Sequence, residues 1–487
     1  MYLARARRMQ LLIAGFLLPA AVVSAQGINP LASYIEVSQP VVALTHVEVI
    51  DGTGSAPMAD QTIVLDGGRI VSVGASGTAQ IPAGAKVLDL AGHTVYPGLI
   101  GMHEHLFYVE PGTKELTGLA GIEAQQTAPR LYLAAGVTTA RTAGSIEPYT
   151  DLQVKRGIDA GLAPGPDLDV TGPYLDGAGT FVTMASQLKS AADATSTVNF
   201  WSQAGVTSFK AYMWIGPEEL KAAVVAAHAN GHKITGHLCS VGFTEAAEMG
   251  IDNLEHGLLE DTEFYSGKKA GKCPDGRGPA EETANQLDID SPKVHAMIHA
   301  LVQHHVAVTS TLSVYESFLP NRPPLGFLDR EKDAMTPQVW AAVLEQRSRL
   351  ADNAAKSFWP SALKKEMQFE RAFVAAGGLL MAGCDPTAYG AVLAGYGDQR
   401  NLELLVEAGF TPQQAIQIYT QNAAKYLGRE DRIGTIAAGK QADLVVVAGD
   451  AAKDISAVNR VELVFKKGVG YNPQKLIDST RGMMGIR

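Results

Sequence analysis

Between about residues 98 and 429 the chain alternates apolar, strand-like runs with helix-like runs, and no other feature restricts its folding more. "GVTTART" follows "APRLYLAAG", "GVTSFKAY" precedes "PEELKAAVVAAHANG", and "HKITGHLC" precedes "TEAAEMG". "IDNLEHG", "VAVTSTLS" and "GGLLMAGCD" continue the series. Helical pieces tend to end in glycine, as at Gly136, Gly231 and Gly250, which suits a left-handed cap before the next strand. A β-then-α repeat of this length predicts a parallel sheet, and the size suits an α/β fold of the (β/α)8 TIM-barrel kind. An open, doubly wound sheet is the alternative, but no G-x-G-x-x-G follows the first strand.

The flanks read differently. Residues 40–90 alternate apolar and polar residues with Gly and Asp breaks, and the texture returns in "QADLVVVAG" and "VELVFKKGVGYN". Two all-β pieces at opposite ends of a chain can pair, so 26–97 and 430–487 are expected to form one small β-sandwich beside a barrel over 98–429. Residues 1–25 carry Arg5, Arg7 and Arg8, then the apolar run "LLIAGFLLPAAVV", then Val23 and Ala25 before the expected cut. These are the three regions of a signal peptide, and they predict a secreted or periplasmic protein with no stable membrane insertion after cleavage. Net charge is −10 and no Lys/Arg cluster reads as a phosphate patch, which argues against a nucleic-acid partner. Three cysteines, Cys239, Cys273 and Cys384, are too few for a disulfide framework. One bridge would be allowed in an oxidising compartment, but three buried free thiols are expected. Two long polar or Pro-rich segments, 260–290 and 316–345, interrupt the repeat after predicted strands; they read equally as active-site lids or as surface insertions.

The stretch "VYPGLIGMHEHLFYVE" (95–110) should be a buried strand, yet it holds His103, Glu104 and His105. Residues two apart on a strand share a face, so the two imidazoles point together and Glu104 points away. An H-x-H pair alone is weak evidence for a metal, because buried histidines with ordinary hydrogen bonds are common. The other strands strengthen it. Lys210 lies in a buried-looking strand, His237 in "HKITGHLC", His256 in "IDNLEHG" and Asp385 in "LLMAGCDP". Burial favours the neutral amine of Lys210, which can add CO2 to form a carbamate. Single ligand-type residues thus recur at successive strand ends. Tyr212, two past Lys210, should face the same cavity, either as a hydrogen-bond donor to substrate or as a packed aromatic. The histidines at 228, 232, 295, 299, 304 and 305 read as surface or capping residues, and His46 and His93 belong to the small domain.

On the motifs "PGLIGMHEH", "AAGVTTART", "AHANGHKITGH", "GIDNLEHG", "GCDP" and the tail "LVEAGFTPQQAIQIYTQNAAKYLGREDRIGTIAAGKQADLVVV", the chain resembles the amidohydrolase superfamily. Within it the chain is most similar to imidazolonepropionase-like and prolidase-like members, over about 45–450. The resemblance implies two divalent metal ions, zinc or, with the same ligands, manganese. His103, His105 and Asp385 would hold the first ion, His237 and His256 the second, and carbamylated Lys210 would bridge them. Many relatives have Arg-Asp where this chain has Arg141-Thr142. Many also have a polar residue where Cys239 stands, beside His237 on the inward face; Cys239 is expected to be a packed thiol.

Two cations held by neutral imidazoles keep a surplus of positive charge, which would make a shared water a hydroxide near neutral pH. Asp385 would move a proton from that nucleophile to the leaving nitrogen. The implied reaction is hydrolysis of a linear amide in a small molecule, of dipeptide or N-acyl amino acid type. Opening of a cyclic amide of imidazolone or hydantoin kind is the alternative. Deamination of a nucleobase-like ring fits less well, since such relatives generally lack the lysine and carry a glutamate where Ser240 stands. A ligand-binding protein without catalysis is disfavoured by the intact ligand set. Assembly into a homo-oligomer is left open.

Overall fold

The computed structural model describes residues 29–109, 121–182, 184–387 and 390–485. The expected signal peptide lies outside the described residues. Among those described, no helix is long and apolar enough to cross a membrane.

Eight short strands carry the middle of the chain: β1 (Leu99–Glu104), β2 (Val137–Thr142), β3 (Thr171–Asp176), β4 (Ser208–Ala211), β5 (Lys233–Gly236), β6 (Asn253–Glu255), β7 (Ala307–Ser310) and β8 (Leu380–Ala382). β1 pairs with β2, and β3 through β8 pair in sequence order, all in parallel. The two sets meet through a broken third strand. Asp167–Asp169 pairs in parallel with β2, and after Val170 the chain continues as β3 beside β4. β3 escapes the sequence pattern because Gly172 and Pro173 interrupt its apolar run. The last strand also returns to the first, since the Asp385 amide donates to the His103 carbonyl at 2.9 Å. Apart from Lys233 at the start of β5, the residues of these strands are buried, as expected of parallel strands covered by helices, although Thr, Ser, Asn and charged residues stand among the apolar ones.

Helices follow most strands and cover them. Pro217–Ala229 starts with Pro at its first position and buries Leu220, Ala223, Val224, Ala226 and Ala227. Phe243–Met249 ends on Gly250, which takes the left-handed conformation (φ 90°) that closes a helix before the next strand.

Strands from both chain ends share one nine-stranded sheet. Its junction is the antiparallel pairing of Leu444–Ala448 with His93–Pro97, Val446 opposite Val95. Val42, Leu44, Ile63, Leu65, Val95, Leu444, Val446 and Phe465 form its own apolar core. The other face of the C-terminal strand joins the main core through Val445 and Val447.

Of the two long segments, residues 273–277 of the first lie against the cavity at the carboxyl ends of the strands. Of the second, Phe318 reaches that cavity, whereas Leu325–Glu331 and Pro337–Asp352 are helices packed elsewhere. The cysteine expectation is corrected. Cys239 and Cys273 form a disulfide, and Cys384 is a buried free thiol. The first long segment folds back onto the loop after β5, which brings the two Cα atoms within 4.9 Å across 34 residues of sequence. Strand spacing carries no information about that return.

Candidate metal centre

A cavity of about 380 Å³ opens at the carboxyl ends of the strands. His103, His105, Lys210, Tyr212, His237, His256 and Asp385 all line it. The clustering follows from the strand positions, because His105, Tyr212, His237, His256 and Asp385 each stand just past the end of a different strand. Asp385 is the meeting point. Its Oδ1 lies 3.2 Å from His105 Nε2 and 3.6 Å from His103 Nε2, and its Oδ2 lies 3.8 Å from His256 Nδ1. Ring centroids of His103 and His256 are 4.6 Å apart, and those of His237 and His256 4.5 Å.

Two of these residues hold a backbone conformation that L residues avoid. His256 has φ 69° and Asp385 φ 47°. Left-handed non-glycine residues cost energy and persist where surrounding contacts over-determine them, which is common at functional sites. Here Asp385 is fixed by its amide bond to His103 and by Thr387 Oγ1, which donates to Oδ1 at 2.7 Å.

Each inner imidazole is oriented from behind. His103 Nδ1 donates to Glu255 Oε2 at 2.8 Å, and His105 Nδ1 to the Gly144 carbonyl at 3.0 Å. Both Nε2 lone pairs are thereby turned toward the cavity, the tautomer a metal ligand needs. His256 Nδ1 lies 2.7 Å from Thr311 Oγ1. Burial, reinforced by the charge of Lys210, brings His103 down to about 4 despite Asp385 and Glu255. Burial together with His237 and His103 holds His256 well below its ordinary value. Burial pushes the Asp385 carboxyl up, but His103, His105 and His256 outweigh it and hold the group well below the usual carboxylate range. Lys210 is 1% exposed, and burial lowers its amine to about 8 against the pull of Glu255 and Asp385. Imidazoles, one carboxylate and an amine that burial lowers to about 8 form a donor set that fits divalent cations.

Sequence reasoning missed three supporting residues. Glu255 is fully buried, accepts from His103, from Arg141 Nη2 at 2.7 Å and from Asn253 Nδ2 at 3.0 Å, and stays ionised because Arg141, His103 and Lys210 outweigh its burial. Arg141 also donates to the Met102 carbonyl at 2.8 Å, so the arginine of the Arg-Thr pair braces the floor of the site. A charged residue inside each apolar strand was the available signal. Glu260, in the loop after β6, faces His237 Nε2 at 3.1 Å and accepts from Tyr315 Oη at 3.2 Å. Burial raises it, yet His237, Tyr315 and Arg277 together hold it below its ordinary value.

Glu104 does point away from the cavity. It packs with Cys384 Sγ, 3.1 Å from its Oε2, and with Asp398. Burial raises both carboxyls, that of Asp398 to about 6, and their mutual repulsion raises Glu104 further. Tyr212 is 7% exposed and packs 4.9 Å from the rings of both Tyr174 and His237. Among the other histidines, His228 pairs with Asp252, His46 with Asp89 and His93 with Glu462, all away from the cavity.

Residues 94–469 match the amidohydrolase family. An imidazolonepropionase from Streptomyces griseus is 32% identical over 133 residues; the match takes in 25% of this chain and 32% of that relative. A candidate prolidase from Bifidobacterium longum superposes with a TM-score of 0.65 at 24% identity, covering 92% of this chain and 99% of that one. A Xaa-Pro dipeptidase with bound methionine in its active site gives a TM-score of 0.65 at 21% identity, covering 89% and 100%. At such identities the two structures speak for the fold alone. Fold and clustered ligand-type side chains define the class, a hydrolase that works on carbon–nitrogen bonds with the help of metal. The chain belongs to the amidohydrolase family.

Proposed function

We propose that this protein is an exported, binuclear metal-dependent amidohydrolase that cleaves a linear amide bond, of dipeptide or N-acyl amino acid type. The observation that carries the reading is the convergence of four imidazoles, Lys210 and Asp385 on one cavity. The strand order and its return to β1 support a closed (β/α)8 barrel, with the sheet from the two chain ends as a β-sandwich beside it. His103, His105 and Asp385 would hold one divalent cation, and His237 and His256 the other. Zinc is favoured by the imidazole-rich set, though manganese would be accepted. Lys210 would bridge them after adding CO2, its amine attacking carbon and losing one proton to give an N-carboxylate. When bound, the ions would polarise the substrate carbonyl and acidify a water between them.

The protein's own groups do the rest. Oδ1 of Asp385 is engaged by Thr387, which leaves Oδ2 to accept a proton from the attacking water and deliver it to the leaving nitrogen. Without that proton the departing amide anion would be a very poor leaving group. Glu255 and the Gly144 carbonyl keep His103 and His105 in the ligand tautomer throughout. Tyr212, which lines the cavity, would donate to the substrate carbonyl or carboxylate. A roomy, aromatic-walled cavity suits a linear substrate with two side chains. The imidazolonepropionase relative favours a second reading, ring opening of a cyclic amide.

The test is turnover by the zinc- or manganese-loaded enzyme of a panel of dipeptides, N-acyl amino acids, hydantoins and imidazolones. Hydrolysis of the linear members, lost on chelation and restored by metal with bicarbonate, is expected. Turnover confined to the cyclic members selects the second reading, and full activity in metal-free protein removes both.

A further inference from the structure

The first long segment is fastened to the site more firmly than a surface insertion requires. Cys273 is cross-linked to Cys239, two residues past His237. Lys268 Nζ adds a second tie, donating to the Ser240 carbonyl at 3.0 Å and to Thr262 Oγ1 at 2.6 Å. From Cys273 onward the chain runs along the cavity wall and reaches Arg277. The guanidinium carbon of Arg277 lies 5.2 Å from the centroid of Phe318 and 5.1 Å from that of Trp359. Those two rings stack on each other at 4.5 Å, and Tyr315 stacks on Trp359 at 6.3 Å. The outer part of the cavity therefore combines an apolar aromatic wall with the Arg277 guanidinium, and the carboxylates of Glu260 and Asp275 line the same cavity. The segment that carries Arg277 is held by a covalent link to the loop just past His237.

We propose that this cross-linked loop presents Arg277 as the specificity group for a free carboxylate on the substrate, next to an apolar side chain seated on Phe318 and Trp359. The inference rests on the linear-amide reading and refines it, since the half of the substrate lying outward is an amino acid with an uncapped α-carboxylate. A planar guanidinium holds a carboxylate through two parallel N–H bonds, and stacking on ring faces fixes its orientation before the ligand arrives. The disulfide serves the same end, because it keeps the loop from swinging away and so lowers the ordering cost of binding.

The experiment measures binding by calorimetry, so it does not depend on turnover. Its probes are the ketomethylene isosteres of N-acetyl-L-phenylalanine and of N-acetyl-L-phenylalaninamide, in which CH2 replaces the acylated nitrogen so that the acyl bond cannot be cleaved, offered to the zinc-loaded protein. Wild type should bind the acid about tenfold or more tighter than the amide, the scale of one charge-assisted contact. Arg277→Met keeps the apolar stem over the rings and should bring acid and amide close to parity. Arg277→Lys should retain part of the preference. Cys273→Ser should weaken the acid and leave the amide nearly unchanged. Unchanged zinc content and a cooperative melting transition confirm that each variant is folded, with a lower midpoint expected only for Cys273→Ser. Equal binding of the two probes by wild type, binding of neither, or a full acid preference in Arg277→Met would overturn the proposal. The last result would assign the carboxylate to the metal ions instead. Should Arg277 govern the preference while no linear amide is turned over, the catalytic reading fails and the carboxylate subsite stands.

Discussion

Asp385 and Glu255 illustrate two ways in which one carboxylate can serve a cation site. Asp385 faces the cavity, and three imidazoles keep it ionised in spite of its burial. Replacing it by asparagine preserves shape and removes the proton acceptor. Asp385→Asn should lose about 10²- to 10⁴-fold in turnover, the usual worth of a general base, while the protein stays folded. Steady-state kinetics beside zinc analysis checks this, and near-normal turnover with metal bound would remove the assigned role. Glu255 never reaches the cavity, yet it sets the tautomer of His103 and neutralises Arg141. Glu255→Gln should weaken metal binding by about 10- to 100-fold, as loss of an orienting partner does elsewhere. Competition with a graded chelator measures it, and an unchanged affinity would mean that Arg141 alone fixes the ring.

At the scale of elements, strand ends aim the ligands and helix starts hold the strand ends in place. The helix Pro148–Asp159 is capped by Glu147, whose side chain accepts from the Tyr149 and Thr150 amides. One turn in, Asp151 is bonded to Ser145, and Ser145 donates on to the Thr171 carbonyl at the head of β3 at 2.8 Å. Burial pushes the Asp151 carboxyl up to about 8, so it is mostly protonated in the folded protein at neutral pH. An unfolded aspartate titrates near ~3.9. The folded state therefore holds an extra proton between those values, and stability contributed by this group falls as pH rises through that window. Melting temperature should decline from pH 5 to pH 8, and Asp151→Asn should flatten the decline. An identical slope in the variant would show that other carboxyls carry the linkage. The same elements show where pattern reading succeeds. β2, β4, β5, β6, β7 and β8 all fall inside stretches that read as strands in the sequence. β3 does not, because its glycine and proline mask a strand whose partners lie on both sides.

For the whole molecule, the sheet built from both chain ends is pressed against the first helix-to-strand turn of the central unit. Gly136 has φ 96°, and a Cβ there would lie 2.7 Å from a methyl of Val445. Gly136→Ala therefore meets both a disallowed backbone angle and a packed side chain, and should cost roughly 1–3 kcal/mol. Pairing it with Val445→Ala should recover the steric part and leave the backbone part. Chemical denaturation of the single and double variants separates the two, and a neutral single variant would mean that the two units do not hold each other this closely in solution.

The sequence by itself determined the alternation of strand and helix, the β character of both ends and the strand-end positions of His103, His105, Lys210, His237, His256 and Asp385. Each of these is a local pattern, set by the period of burial along a single element. Tertiary structure alone decided that Glu255 stands behind His103, that Arg141 braces it, that Glu260 faces His237 and that Cys239 meets Cys273. Such partners lie far apart along the chain, and a strand pattern states which face a side chain takes without stating which neighbour stands opposite. Only the folding back of one segment onto another brings them into contact.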